Sequence, residues 1–197
     1  GRGIKDIEIL IYSDASPTTQ QQARSQLGCV IGISSHNENK VRIDDTLIQR
    51  HNTKSRKVNI LQSYRPINII AWSSRKSKDS HTSSMAAELV GCYEATDLGL
   101  YLASMINSIA HYKANDGVTV KLINDQLAMI ASVTSQCSSM VANRSMLSRI
   151  YVLRRLIEEK YITAMEWGPG DLNIADPLTK SCNAENLIMA ASINVLP

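Results

Sequence analysis

Four acidic residues, Asp14, Glu88, Asp125 and Asp176, stand where a carboxylate could serve chemistry as well as solubility. Oxygen donors of this kind suit hard divalent cations, Mg²⁺ or Mn²⁺, and exclude a thiolate zinc site. A cation so held acts as a Lewis acid on an oxygen bound to it. Each acid also has an ordinary structural role open to it. Asp14 precedes the turn residues Ser16 and Pro17, where aspartate is favoured. Glu88 could be a solvated helix residue, and Asp125 could cap the short helix after it. Asp176, followed by Pro177, fits a helix N-cap with proline at the first helical position. Asp171, inside the Gly-Pro-Gly turn, is an alternative to Asp176 and is read as solvated. Taken singly, the structural role is favoured for each.

For the four to act together, the elements carrying them must converge. Residues 7–13, IEILIYS, read as a strand ending near Asp14; LGCVIGIS at 27–34 and INIIAW at 67–72 read as two more. From Ser83 the period becomes helical over about 25 residues, with Ser or Thr at 82–84 available as caps. VTVKLIN at 118–124 is a fourth strand with Asp125 at its end, followed by a short helix at 126–133. An amphipathic helix at 146–160, a fifth strand at 162–167 and a closing helix at 183–192 complete the order. Three consecutive strands suit an antiparallel meander, and helical crossovers suit later strands laid parallel to the first. The expectation is an α/β chain with a mixed five-stranded sheet and helices on its faces, the strand order left open. If the strands ending at Asp14 and Asp125 are parallel neighbours, their carboxyl ends share one edge, where clefts in such sheets form. On the long helix Glu88 has Ser84, Gly91 and Cys92 for neighbours on its own face, all small, which leaves room for its carboxylate to reach inward.

The bulk properties narrow the partners. A chain of 197 residues with 44% hydrophobic residues is expected to be one globular domain, with residues 36–66 a polar insertion or extended hairpin in which VRI (41–43) and VNIL (58–61) are ambiguous. No apolar run approaches the roughly 20 residues that span a bilayer, so no membrane partner is expected. The opening GRGIKDIEIL lacks a signal peptide's apolar stretch, and both ends read as the edges of a piece cut from a longer chain. Cys29, Cys92, Cys137 and Cys182 match neither zinc-ligand spacing nor a dense disulfide framework, which points to reduced thiols and an intracellular chain. A net charge of +3 is weak support for a polyanionic partner, so distribution matters more. Arg75, Lys76 and Lys78 cluster in SSRKSKDS, while Arg50, Lys54, Arg56 and Lys57 crowd a stretch read as solvated. Phenylalanine is absent, which argues against a base-stacking platform.

Five segments together resemble a known family: IYSDAS (11–16), AWSSRKSKDSHTSSMAAELVGCYEA (71–95), LINDQLAMI (122–130), NRSMLSRIYVLRRLIEE (143–159) and NIADPLTK (173–180). In order and element type they are similar to the ribonuclease H domain of copia-type LTR retrotransposon Pol polyproteins, over most of the chain outside 36–66. The resemblance implies a ribonuclease H-like fold with the first three strands antiparallel and the fourth and fifth parallel to the first. It implies a site of Asp14, Glu88, Asp125 and Asp176 holding two Mg²⁺ or Mn²⁺ ions, with Asp14 bridging, Glu88 and Asp125 flanking, and Asp176 fourth and looser. The activity implied is endonucleolytic hydrolysis of the RNA strand of RNA–DNA hybrids during reverse transcription, leaving a 3′-hydroxyl and a 5′-phosphate. The implied partners are the hybrid and the reverse transcriptase domain of the same polyprotein, in the cytoplasm, virus-like particles included. Arg75, Lys76 and Lys78 are expected to contact backbone phosphates, and Ser83 or Ser84 to read a 2′-hydroxyl.

One departure bears on rate. Many ribonucleases H carry a histidine in the loop before the last aspartate, whereas here 167–175 reads WGPGDLNIA. Asn173 stands near that position, and His81 and His111 are read as surface or helix-end residues. Glu94 and Asp97 are read as solvated, and so is the pair Asp44-Asp45. Two other functions compete: a non-catalytic ribonuclease H-like module binding nucleic acid or protein, and a related nuclease acting on DNA.

Overall fold

The computed structural model describes residues 7–16, 24–35, 65–81, 83–110, 117–135, 144–182 and 184–196. The expected insertion at 36–66, apart from its last two residues, lies outside the described residues. So do Arg50, Lys54, Arg56, Lys57, Asp44, Asp45, His111 and Cys137.

Five strands form one sheet: β1 (Ile7–Ser16), β2 (Gln26–Ser35), β3 (Asn68–Lys76), β4 (Thr119–Asn124) and β5 (Ala164–Trp167), in the order β3-β2-β1-β4-β5. β1 pairs antiparallel with β2, and β2 with β3; β4 pairs parallel with β1, and β5 parallel with β4. This is the mixed sheet expected, with its strand order now supplied. A bulge between Ile31 and Gly32 interrupts the β2–β3 register. Arg65–Pro66 pairs separately with Val195–Leu196.

Alternation along β1 divides the core. Ile9 and Ile11 face the helices α1 (Ser84–Ile109), α2 (Leu127–Thr134) and α3 (Arg144–Glu158), packing with Leu89, Cys92, Met129, Ile150 and Leu153. Leu10 and Tyr12 face the other way, against Ile174, Ala175 and Ala190, the last from α4 (Glu185–Ile193). Helices therefore cover both faces. At the amino end of β1 the buried Glu8 meets Lys121 of β4 at 3.2 Å, and Lys121 meets Glu166 of β5 at 3.3 Å, an ion chain across three strands. No helix among the described residues is long and apolar enough to cross a membrane.

Element boundaries differ from expectation where long-range pairing decides them. β1 continues to Ser16, so Asp14 lies inside the strand, opposite Gly28 of β2. β3 extends to Lys76 because Ser73, Ser74, Arg75 and Lys76 pair with Cys29, Gly28, Leu27 and Gln26. α1 begins where its caps predict: the Ser83 hydroxyl accepts from the Ala86 amide at 3.1 Å.

Candidate active site

The parallel pairing of β1 with β4 brings Asp14 and Asp125 to one edge of the sheet. Asp176 reaches them from a 3₁₀ turn, Asp176–Leu178, laid over β1 and β2. One carboxylate oxygen from each of the three lies within 4.8 Å of the others. That turn can sit so low because residue 28 is glycine: a Cβ there would meet Thr179 Cγ2 at 2.7 Å and Leu178 Cβ at 3.0 Å. Ser74 of β3 fastens it, donating to the Leu178 carbonyl at 2.5 Å.

Asp176 is not the helix cap that its sequence suggests. Ala175 occupies the cap position, no side chain caps the turn, and the Asp176 side chain faces the other acids. Asp125 likewise does not cap α2; Gln126 stands at that cap, and the Asn124 side chain accepts from its amide at 2.8 Å. The end of β5 and the turn after it position Asp125. The Trp167 indole donates to its carbonyl at 3.0 Å, and Gly170 leaves space that a Cβ would take from its carboxylate, 2.9 Å away. Asp171 is exposed, its carbonyl accepting from Asn186.

Glu88 stands behind the three aspartates and is not part of their close group. It is 5% exposed. Its Oε2 accepts from Asn124 Nδ2 at 3.2 Å, and that amide also lies 3.1 Å from both the carbonyl and the hydroxyl oxygen of Ser13. Burial pushes the Glu88 carboxyl up to about 8, and the Asp14 charge adds to it. The Asn124 amide gives Glu88 a neutral partner away from the like-charged aspartates. Asp14, 1% exposed, is raised to about 6, chiefly by burial, opposed by a hydrogen bond from Thr179 and by the charge of Lys180. Asp125 is raised by burial and lowered in turn by Lys180.

Asn124, Thr179 and Lys180 therefore belong to the site although their sequence positions did not mark them out. The available signal was adjacency, since they sit within LINDQ and ADPLTK. Lys180 Nζ lies 2.6 Å from Asp176 Oδ1 and 3.7 Å from Asp14 Oδ1. Both oxygens are buried, and the ammonium between them compensates their charge. An all-oxygen donor set with unsatisfied lone pairs fits a hard divalent cation.

Asn173 does not stand in for a loop histidine. It is 4% exposed, donating to the Ser13 carbonyl at 2.9 Å and accepting from the Ala175 amide at 3.1 Å. His81 is bonded to Ser77 at 2.8 Å, and burial lowers its pKa. Of the expected substrate contacts, Arg75 is committed to Glu94 at 2.6 Å, so Glu94 is paired rather than merely solvated. Both line a cleft of about 410 Å³ with Cys29 and Tyr101, beside the aspartates and not including them. Lys76, Lys78 and Ser84 are exposed, and the Ser83 hydroxyl is occupied as the α1 cap.

No protein-family model and no curated protein matches the sequence. Among solved structures, the prototype foamy virus protease–reverse transcriptase is similar, with a TM-score of 0.50 and 13% identity over 91% of this chain and 21% of that one. The N-terminal RNase H domain of Rv2228c from Mycobacterium tuberculosis, fused to maltose-binding protein, gives 0.48 and 14% over 88% and 91%. LC11-RNase H1 in complex with an RNA/DNA hybrid gives 0.45 and 16% over 87% and 93%. The fold is ribonuclease H-like.

Proposed function

We propose that the chain is a divalent-metal-dependent ribonuclease H, an endonuclease hydrolysing the RNA strand of RNA–DNA hybrids by a two-metal mechanism, and that it works beside a reverse transcriptase in a retroelement polyprotein of copia type. The observation carrying this reading is the meeting of Asp14, Asp125 and Asp176, from three separate segments, within 4.8 Å at one edge of the sheet. Asp14 and Asp176 each turn a buried oxygen toward the same point, where the Lys180 ammonium approaches both. In this reading the three aspartates hold Mg²⁺ or Mn²⁺, and Glu88 completes the set once it ionises. Bound divalent ions supply an ionised water near neutral pH and neutralise the departing 3′-oxygen.

The chain's own residues do the rest. Thr179 orients Asp14, the Trp167 indole fixes the Asp125 backbone, and Asn124 keeps Glu88 on the α1 side of the group. In this reading Lys76 and Lys78, exposed at the end of β3 and just beyond it, meet backbone phosphates. Ser84, at the start of α1, is the better placed hydroxyl for a 2′-OH, since Ser83 is spent on capping. The test is cleavage of a labelled hybrid with Mg²⁺, against single-stranded RNA and duplex DNA. Wild type should cut the hybrid and Asp14→Asn should lose roughly 10²-fold or more in rate, since losing even a hydrogen-bond partner of a metal ligand costs about 10- to 100-fold. Binding without cutting, even with a fused polymerase, would favour the non-catalytic module, and cutting of DNA a related nuclease.

A further inference from the structure

Among the described residues one cation already sits within the group of acids. Lys180 Nζ is at ion-pair distance from both Asp14 and Asp176, and its charge is felt at Asp125 as well. Asp14 is almost wholly buried, with one oxygen bound by Thr179 and the other lacking any hydrogen-bond donor. Lys180 supplies the compensation that this second oxygen would otherwise lack.

A dication shared by Asp14 and Asp176, at the roughly 2.1 Å bond lengths of Mg²⁺, would have to lie within a few ångström of that ammonium. Like charges so close in a half-buried cleft are poorly screened. Lysine and metal therefore compete. The lysine also has the means to leave. Its side chain is 45% exposed, it follows the 3₁₀ turn rather than lying in a helix, and its stem is long and flexible.

We propose that Lys180 is an internal counter-ion exchanged for metal: it neutralises Asp14 and Asp176 while the site is metal-free and swings out when a divalent ion binds. This rests on the reading of those acids as metal ligands. Two consequences follow from the competition. The metal-free fold owes part of its stability to Lys180, and metal affinity is reduced by the work of displacing it.

The test combines Mn²⁺ titration calorimetry with thermal unfolding in EDTA and in saturating Mn²⁺, on wild type, Lys180→Gln, Lys180→Arg and Asp14→Asn. Lys180→Gln keeps the length and removes the charge. It should bind Mn²⁺ roughly 5-fold or more tightly than wild type, the lower range of measured coupling between sites. It should melt below wild type in EDTA and draw level with it in Mn²⁺. Lys180→Arg should stay near wild type in EDTA. A Lys180→Gln chain that folds only with Mn²⁺ present also supports the exchange. Equal or weaker Mn²⁺ binding by Lys180→Gln overturns it. If wild type binds Mn²⁺, Asp14→Asn does not and Lys180→Gln matches wild type, the exchange alone falls. If neither wild type nor Lys180→Gln binds Mn²⁺, the metal-nuclease reading falls with it.

Discussion

A carboxyl group buried among other carboxyls resists ionisation, and this site holds two such groups in Asp14 and Glu88. Burial is the larger cause for both, raising Asp14 to about 6 and Glu88 to about 8. In the unfolded chain both would ionise near pH 4, so the native state holds protons that the unfolded state has released. Each group's contribution to stability is complete below its unfolded pKa and is lost as pH rises through its folded one. The metal-free protein should therefore lose stability from about pH 4 upward, with most of the loss over by about pH 9. Melting curves in EDTA across that range check this, and a melting temperature that rises with pH would contradict it. Glu88→Gln should flatten the upper part of the decline and Asp14→Asn the lower. Added Mg²⁺ should oppose it, because metal takes the ionised carboxylates and releases their protons. None of this is legible in residue type alone: Glu94 and Asp97 lie on the same helix as Glu88, yet one pairs with Arg75 and the other is exposed.

At the scale of elements, local periodicity carried far but stopped where distant segments decide. The alternation of β1 and the helical spacing from Ser83 are properties of a short window, and both elements begin where that window placed them. The end of β3 depends on partners in β2, some fifty residues away, and Asp176 depends on a turn docked against the sheet; neither is encoded nearby. Gly28 shows what the docking needs. A methyl group there would collide with Thr179 and Leu178 and crowd the Ala175 carbonyl at 3.1 Å. Thr179 orients Asp14, and the same turn carries Asp176 and Lys180, so the collision disturbs the site rather than the core. Gly28→Ala is expected to cost about 1–3 kcal/mol in stability, as overpacking does, and to weaken Mn²⁺ binding as well. Denaturant melts and Mn²⁺ titration together check this. Unchanged Mn²⁺ affinity would mean that the turn is not the part that yields.

Across the whole molecule the sheet acts as the register that gathers acids far apart in the chain, and charge decides how a polyanion meets them. Which strands are neighbours is the step the sequence leaves open: the β1–β4 pairing puts Asp14 beside Asp125, and no periodicity reports it. A net charge of +3 on 197 residues offers little general attraction for a hybrid. Within the local basic cluster, Arg75 spends its charge on Glu94, which leaves Lys76 and Lys78 beside the start of α1. If those two lysines meet phosphates, each releases condensed counterions on binding, and the logarithm of affinity falls against the logarithm of salt by about 0.7 to 0.9 per contact. Lys76→Ala with Lys78→Ala should then lower that slope by roughly 1.4 to 1.8 in hybrid-binding titrations over a salt series. Arg75→Ala should change it much less, since its guanidinium is already paired. Equal losses from Arg75 and the two lysines would show that the Arg75–Glu94 pair opens to receive the hybrid, and would extend the binding face into the cleft that pair now borders.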